Sequence, residues 1–108
     1  MTLVEVTRRD GHIVSLTADG HTGYGVEGED IVCAALSSII QTALLGVMQV
    51  AGVNVKFEKK DEEGYLKFTL PTLEPQLRRD ADMILDTMLL GISDLYESYS
   101  DFIELKLI

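Results

Sequence analysis

The residues best suited to chemistry are a cysteine and a histidine that lie close together in the chain. Cys33 is the only cysteine, and His21 precedes it by twelve positions. A thiolate is the nucleophile of cysteine hydrolases, and an imidazole can pair with it and later give a proton to a leaving amine. These two residues therefore predict a cysteine peptidase with a Cys33–His21 dyad.

The position of Cys33 favours a reactive thiol. An uncharged apolar segment begins at Ile31, so the cysteine lies in the first turns of a predicted helix. The N-terminus of a helix carries partial positive charge and unpaired N–H groups, which stabilise a thiolate. We expect the same N–H groups to hold the oxyanion of a tetrahedral intermediate. The alternative is that Cys33 is a small buried apolar side chain, as lone cysteines on helices usually are.

Two further polar residues share the helical stripe of Cys33. Asp30, Cys33, Ser37 and Gln41 follow one another at intervals of three or four, which puts them on one face of a helix. Asp30 can cap the helix, orient His21, or do both. Ser37 can hydrogen-bond within a pocket or back to a helix carbonyl.

The segment that carries His21 is rich in glycine. Residues 20–28 contain four glycines, so we expect a loop that is mobile until a peptide binds.

Within this loop, residues 23–28 match the dinucleotide pattern G-x-G-x-x-G. The short chain, the predicted hairpins and the acidic residues Glu27, Glu29 and Asp30 all argue against a nucleotide there. Zinc is also disfavoured, because His21 and Cys33 lack two more ligands at a usual spacing, so no cofactor and no metal are expected.

The elements that must position these residues follow from the hydrophobic periodicity. Strands are predicted at residues 3–8 and 13–18, paired through Asp10-Gly11, and His12 beside that turn reads as a solvated bystander. Further strands are predicted at residues 53–58, 65–70 and 102–108. In the first of these, Val53, Val55 and Phe57 alternate with polar residues and are expected to face inward. A helix from Glu29 or Asp30 to about Ala51 ends at Gly52, and a second runs from near Leu73 to Tyr99 with Pro75 in its first turn.

This order, ββαββαβ, predicts an α+β fold. We expect one domain spanning residues 1–108, with a mainly antiparallel five-stranded sheet and two helices packed on one face.

Residues 31–55 carry no charge, a length that can span a bilayer, but Ser37, Ser38, Gln41, Thr42 and Gln49 form a polar stripe. That stripe favours a helix of a soluble protein over a membrane span.

The composition limits the kinds of partner that the chain is expected to bind. The net charge of −9 argues against nucleic acid, because an acidic surface repels phosphates, and it favours basic peptides. A single cysteine forms no internal disulfide, and no charged segment followed by an apolar core opens the chain. We therefore expect a cytoplasmic protein.

The sequences Gly20-His21 and Asp30-Ile31-Val32-Cys33-Ala34-Ala35-Leu36-Ser37 resemble the ribosomal-processing cysteine protease family of Firmicutes, called Prp. The likeness extends over nearly the whole chain. It implies that His21 and Cys33 form the catalytic dyad, with Gly20, Asp30 and Ser37 at supporting positions. It also implies a cytoplasmic homodimer whose substrate is the short N-terminal extension of a large-subunit ribosomal protein.

Two non-enzymatic alternatives remain at this stage. One is a dimeric interaction module of the ribosome-assembly pathway that uses the apolar first helix as its interface. The other is a nucleotide-binding module built on residues 23–28.

Overall fold

The computed structural model describes residues 1–25 and 30–108, which form five strands and two long helices. The order ββαββαβ is as predicted. In chain order the elements are β1 (Thr2–Arg9), β2 (His12–Asp19), α1 (Ile31–Leu45), β3 (Lys56–Lys60), β4 (Tyr65–Thr69), α2 (Pro75–Ser98) and β5 (Ile103–Leu107). The α+β class is therefore confirmed.

The first two strands form the predicted hairpin. Asp10 and Gly11 both have positive φ, 53° and 81°, which is the conformation of a primed two-residue turn. This turn matches the right-handed twist of the flanking strands, so β1 and β2 pair antiparallel directly beside it.

The sheet has the order β3-β4-β2-β1-β5. Three of its strand pairs are antiparallel, as predicted, and only β1 with β5 is parallel. The connection through α1 runs from β2 to β3, which are separated by β4 in the sheet. A dinucleotide-binding unit joins parallel strands that are direct neighbours, whereas here the antiparallel strand β4 lies between β2 and β3, so this arrangement argues against that alternative.

Both helices cover one face of the sheet. Side chains that alternate along the strands meet those of the helices in one core, which includes Val4, Val6, Leu16, Phe68, Leu36, Ile40, Leu85 and Ile92. Between the buried positions of β1 lie less buried residues such as Glu5 and Thr7. This alternation is the period of a sheet with one face covered.

Helix α1 departs from the prediction near its end. It starts after Asp30 but is α-helical only to Leu45, and Gly46–Val50 continues it as a π-helical turn before Gly52 at φ 76°. Ile31–Val50 is long and apolar enough, by length and composition only, to cross a membrane. The predicted apolar side of α1 does enter the core, through residues such as Val32, Leu36 and Ala43.

One apolar side chain of the second hairpin is not where its alternation predicts. Val53 and Val55 are buried, but they precede β3 and do not belong to it. Phe57 is on the helix side of the sheet, opposite Phe68, yet 53% of it is exposed. The reason is that β3 is an edge strand. The prediction that Phe57 faces inward was therefore wrong about its burial.

Candidate active site

The two predicted chemical groups meet where β2 ends and α1 begins. His21 follows β2 after Gly20, and its Nδ1 lies 4.0 Å from Sγ of Cys33 in the first turn of α1. The thiol is partly exposed, so a substrate can reach it. Catalytic hydrogen bonds are often long in a free enzyme and shorten when substrate binds. The geometry therefore suits an imidazole that takes the proton of the Cys33 thiol.

Asp30 is the N-cap of α1. Its Oδ1 accepts hydrogen bonds from the N–H groups of Val32 and Cys33 at 2.9 and 3.0 Å, and its carbonyl accepts from the N–H of Ala34. These N–H groups are therefore already paired. The expectation that the N–H groups around Cys33 hold the oxyanion was wrong, because the cap that starts the helix uses them.

The second oxygen of Asp30 ties the loop of His21 to the helix. Oδ2 accepts from the Thr22 hydroxyl at 2.5 Å and from the N–H groups of Tyr24 and Gly25 at 2.9 and 3.2 Å. The Thr22 N–H in turn donates to Sγ of Cys33 at 3.5 Å, which stabilises negative charge on sulfur. Asp30 thus holds the histidine loop and the nucleophile in one hydrogen-bonded unit.

The same hydrogen bonds set the ionisation of Asp30, whose residue is only 7% exposed. Burial alone raises the pKa of this carboxyl group. Hydrogen bonds from the Thr22 side chain and from the N–H groups of Cys33, Gly25 and Tyr24 outweigh burial and lower its pKa from 3.8 to about 2. Asp30 is therefore a carboxylate at neutral pH.

This shift predicts an acid-dependent contribution to stability. Because the pKa of Asp30 is lower in the folded chain, its contribution is complete above the ordinary value of 3.8 and is lost as the pH falls toward 2. At neutral pH it is about 2 kcal/mol, from about 1.4 kcal/mol per pKa unit. We expect Asp30→Asn to lower the free energy of unfolding in urea by about that amount at pH 7.

The control for this prediction is to measure the free energy of unfolding of both proteins at several pH values. The difference between the wild type and Asp30→Asn should shrink as the pH is lowered through the range in which Asp30 takes up its proton. A difference that stays constant down to about pH 2 would contradict the assigned ionisation.

A third element, which sequence reasoning missed, contacts His21. The turn between β3 and β4 lies beside the imidazole, and Nε2 of His21 is 3.1 Å from the carbonyl oxygen of Glu62. None of the described hydrogen bonds to the Asp30 carboxylate comes from His21. Among the described residues, Asp30 therefore caps α1 and ties the histidine loop to it. A main-chain carbonyl gives no sequence signal, because every residue has one.

Gly20 is required where β2 turns into the histidine loop. Its φ is 94°, and a Cβ atom there would lie 2.7 Å from the carbonyl oxygen of Met1. The Gly20 carbonyl accepts from the Thr2 hydroxyl at 2.8 Å, and its N–H donates to the Gly64 carbonyl at 3.0 Å. Only glycine fits this close packing, so the predicted supporting position has a steric reason.

Ser37 lines a groove that starts at the thiol. The groove is about 390 Å³ and runs between α1 and the β3–β4 hairpin. Apolar residues such as Leu36, Ile40 and Leu66 line it together with Lys59. The Ser37 hydroxyl accepts from Gln41, whose side-chain oxygen accepts from Lys59 at 3.0 Å. Of the two predicted roles for Ser37, this favours the one in the pocket.

The rest of the glycine-rich loop is described only in part. Residues 26–29 lie outside the described residues, and with them half of the G-x-G-x-x-G match and the possible helix start at Glu29. Before that gap, the Tyr24 ring packs against Tyr99 and Phe102, with centroids 5.5 and 5.3 Å apart. These contacts fasten the loop to the end of α2.

His12 is at the other end of β2 from His21. Its Nδ1 lies 2.6 Å from Oδ2 of Asp82 on α2, and Arg78 donates to the other oxygen of that carboxylate at 2.8 Å. His12 therefore joins the hairpin to α2 and is paired, although 43% of its side chain is exposed. Among residues 1–25 and 30–108, no group of three or more His, Cys, Asp and Glu residues is arranged to hold a metal ion.

Comparison with known proteins points in the same direction as this geometry. Residues 1–104 match the family described as cysteine protease Prp. The chain is 26% identical over 103 residues to the ribosomal processing cysteine protease Prp of Bacillus subtilis, covering 92% of each protein.

Two solved structures of the essential ribosomal processing protease Prp from Staphylococcus aureus are also similar. One is a complex with a covalently linked product peptide, with a TM-score of 0.90 and 26% identity. The other is a complex with a substrate peptide, with a TM-score of 0.85 and 25% identity. In both cases the likeness covers 100% of each chain.

Proposed function

Because the chain belongs to the cysteine protease Prp family, we propose that it removes the N-terminal extension of a large-subunit ribosomal protein with a Cys33–His21 dyad. The observation that carries the proposal is the 4.0 Å separation of Sγ and Nδ1 at one end of the groove. The two relatives described above, from Bacillus subtilis and Staphylococcus aureus, are ribosomal processing proteases, and both structures of the latter hold peptides.

The proposed reaction uses the contacts of the resting site. Nδ1 of His21 takes the proton from the Cys33 thiol, and the thiolate attacks the scissile carbonyl carbon. The tetrahedral intermediate collapses as the C–N bond breaks, and the proton on Nδ1 passes to the leaving amine. Water then attacks the thioester, with His21 as base, and releases the acid product and the thiol. The Thr22 N–H, which donates to Sγ, stabilises the thiolate before it attacks.

Charge supports a basic substrate. The chain has a net charge of −9, and the turn beside His21 carries three consecutive carboxylates, Asp61, Glu62 and Glu63, all exposed. Ribosomal proteins are basic as a class, so the surface attracts them and raises their rate of encounter. The apolar lining of the groove then suits uncharged side chains of an extended peptide.

The substrate is tested with the precursor itself. We expect the purified chain to cut the precursor of a large-subunit ribosomal protein once, and mass spectrometry should find the cut at the end of the extension. The mature protein, which lacks the extension, is the matched control and should stay intact. Cleavage of both proteins at internal sites, or of neither, would contradict the proposed substrate.

We further propose that the enzyme works as a cytoplasmic homodimer. The support is apolar surface on the two helices. Ile31 and Leu45 on α1, and Met83 and Leu90 on α2, are each more than half exposed, and each pair falls on one side of its helix. In a homodimer, contact with the partner chain would remove these side chains from water. Sedimentation equilibrium at micromolar concentration should give the mass of two chains, whereas the mass of one would contradict the dimer.

A further inference from the structure

We propose that the turn between β3 and β4 is a third component of the catalytic site. In this proposal the Glu62 carbonyl orients the His21 ring, and Gly64 lets the turn sit against it. The inference rests on the roles proposed above for Cys33 and His21. It concerns positioning, because neither Glu62 nor Gly64 touches the reacting atoms.

The Glu62 contact selects one tautomer of the imidazole. A carbonyl oxygen only accepts hydrogen bonds, so the Nε2 atom 3.1 Å from it must carry the proton. In the neutral ring Nδ1 is then the unprotonated nitrogen, and this is the atom that faces Sγ at 4.0 Å. The turn therefore presents the basic nitrogen of His21 to the thiol.

The same hydrogen bond persists through the reaction. When the thiol proton moves to Nδ1, the Nε2–H still donates to the Glu62 carbonyl, whose partial negative charge stabilises the imidazolium. When Nδ1 gives its proton to the leaving amine, the ring returns to its starting tautomer. The ring therefore need not rotate between the two proton transfers.

Gly64 is the residue that permits this approach. Its φ is 62°, and a Cβ atom there would lie 2.9 Å from the Gly20 carbonyl oxygen and 3.1 Å from Cε1 of His21. The Gly64 carbonyl also accepts from the Gly20 N–H at 3.0 Å, which joins the turn to the residue before His21. A side chain at position 64 would therefore push the turn and the imidazole apart.

The turn is also fastened to α1 on the other side of the groove. Lys59 pairs with Asp61 at 3.2 Å and donates to Gln41 on α1 at 3.0 Å. The turn itself closes through the Gly64 N–H, which donates to the Asp61 carbonyl. These contacts hold the Glu62 carbonyl at a defined distance from the helix that carries Cys33.

The test compares Gly64→Ala with Gly11→Ala. Gly11 also has a positive φ, 81°, and a Cβ atom there would have no atom within 4 Å, so its variant strains the backbone without a clash at the site. We expect Gly64→Ala to lower kcat/KM about 10–100-fold relative to Gly11→Ala, chiefly through kcat, as loss of a group that orients an active-site side chain does. Nitrogen NMR of His21 should find the Nε2–H tautomer in Gly11→Ala and a mixture in Gly64→Ala.

A second variant keeps the proposal testable if Gly64→Ala does not fold. Replacing the amide between Glu62 and Glu63 by an ester makes the Glu62 carbonyl a weaker acceptor and adds no side-chain atom. We expect it to lower kcat at neutral pH and to change the pH profile of kcat.

The outcomes separate this inference from the proposed function. If the wild type cuts the precursor while Gly64→Ala matches Gly11→Ala in kcat and tautomer, the role of the turn is overturned and the dyad stands. An unchanged kcat and pH profile in the ester variant would overturn it equally. Failure of the wild type to cut any precursor would instead contradict the proposed function.

Discussion

Replacing Cys33 by Ala is expected to abolish cleavage of the ribosomal precursor, with kcat lower by at least about four orders of magnitude. The reason is that the sulfur of Cys33 forms the covalent bond to the acyl group of the substrate. The side chain of Ala has no nucleophilic atom that can replace it. Cys33 is partly exposed and lies outside the buried core, so the variant should melt at nearly the wild-type temperature. Cleavage is measured by mass spectrometry against the mature protein.

Cys33→Ser is the matched control for this prediction. It retains a hydroxyl at the position of Sγ and preserves the hydrogen-bonding pattern around Thr22, but a serine hydroxyl is far less nucleophilic than a thiolate. It should therefore be almost as inactive as Cys33→Ala. If either variant cut the precursor at more than about a hundredth of the wild-type rate, Cys33 would not be the nucleophile.

His21→Asn is expected to lower kcat by about 10²–10⁴, the usual contribution of a general acid–base group. An Asn side chain is polar and smaller than the ring, but it cannot carry a proton from the thiol to the leaving amine. The melting temperature should change little, because the ring lies at the edge of the groove and not in the core. The measurement is single-turnover cleavage of the precursor, which isolates the chemical step.

His12→Asn gives the control for the histidine prediction. His12 is at the opposite end of β2 and pairs with Asp82, so its loss should affect stability slightly and cleavage hardly at all. The prediction would be wrong if His21→Asn cut within about tenfold of the wild type. It would also be wrong if the two histidine variants were equally impaired.

The fold was predictable because its signals are local. Asp10-Gly11 marks a primed turn, and the alternation of Leu66, Phe68 and Leu70 marks a strand with one covered face, as the structure has it. The parallel pairing of β5 with β1 was not predictable, since it depends on where the long connection through α2 returns. The exposure of Phe57 likewise depends on its strand lying at the edge of the sheet.

The candidate site was also predictable from the sequence only in part. Spacing predicted that His21 and Cys33 approach each other and that Asp30 begins the helix, and the structure brings all three together. The spacing did not predict that Asp30 would accept hydrogen bonds from the N–H groups beside Cys33, because a carboxylate can accept from several different donors. The contact with the Glu62 carbonyl was also hidden, since residues 21 and 62 meet only through the order of the strands.

The central claim is that the Cys33 thiol and the His21 ring act as a pair, and the pH dependence of thiol alkylation tests it most directly. With a neutral alkylating reagent, the wild type should react fast near neutrality, because Nδ1 of His21 takes the thiol proton as the sulfur attacks, and its rate should rise less steeply with pH than that of a lone thiol. In His21→Asn the rate should be lower and rise about tenfold for each pH unit. If the wild type showed the same steep rise as His21→Asn, Cys33 would be an ordinary thiol and the account would be contradicted.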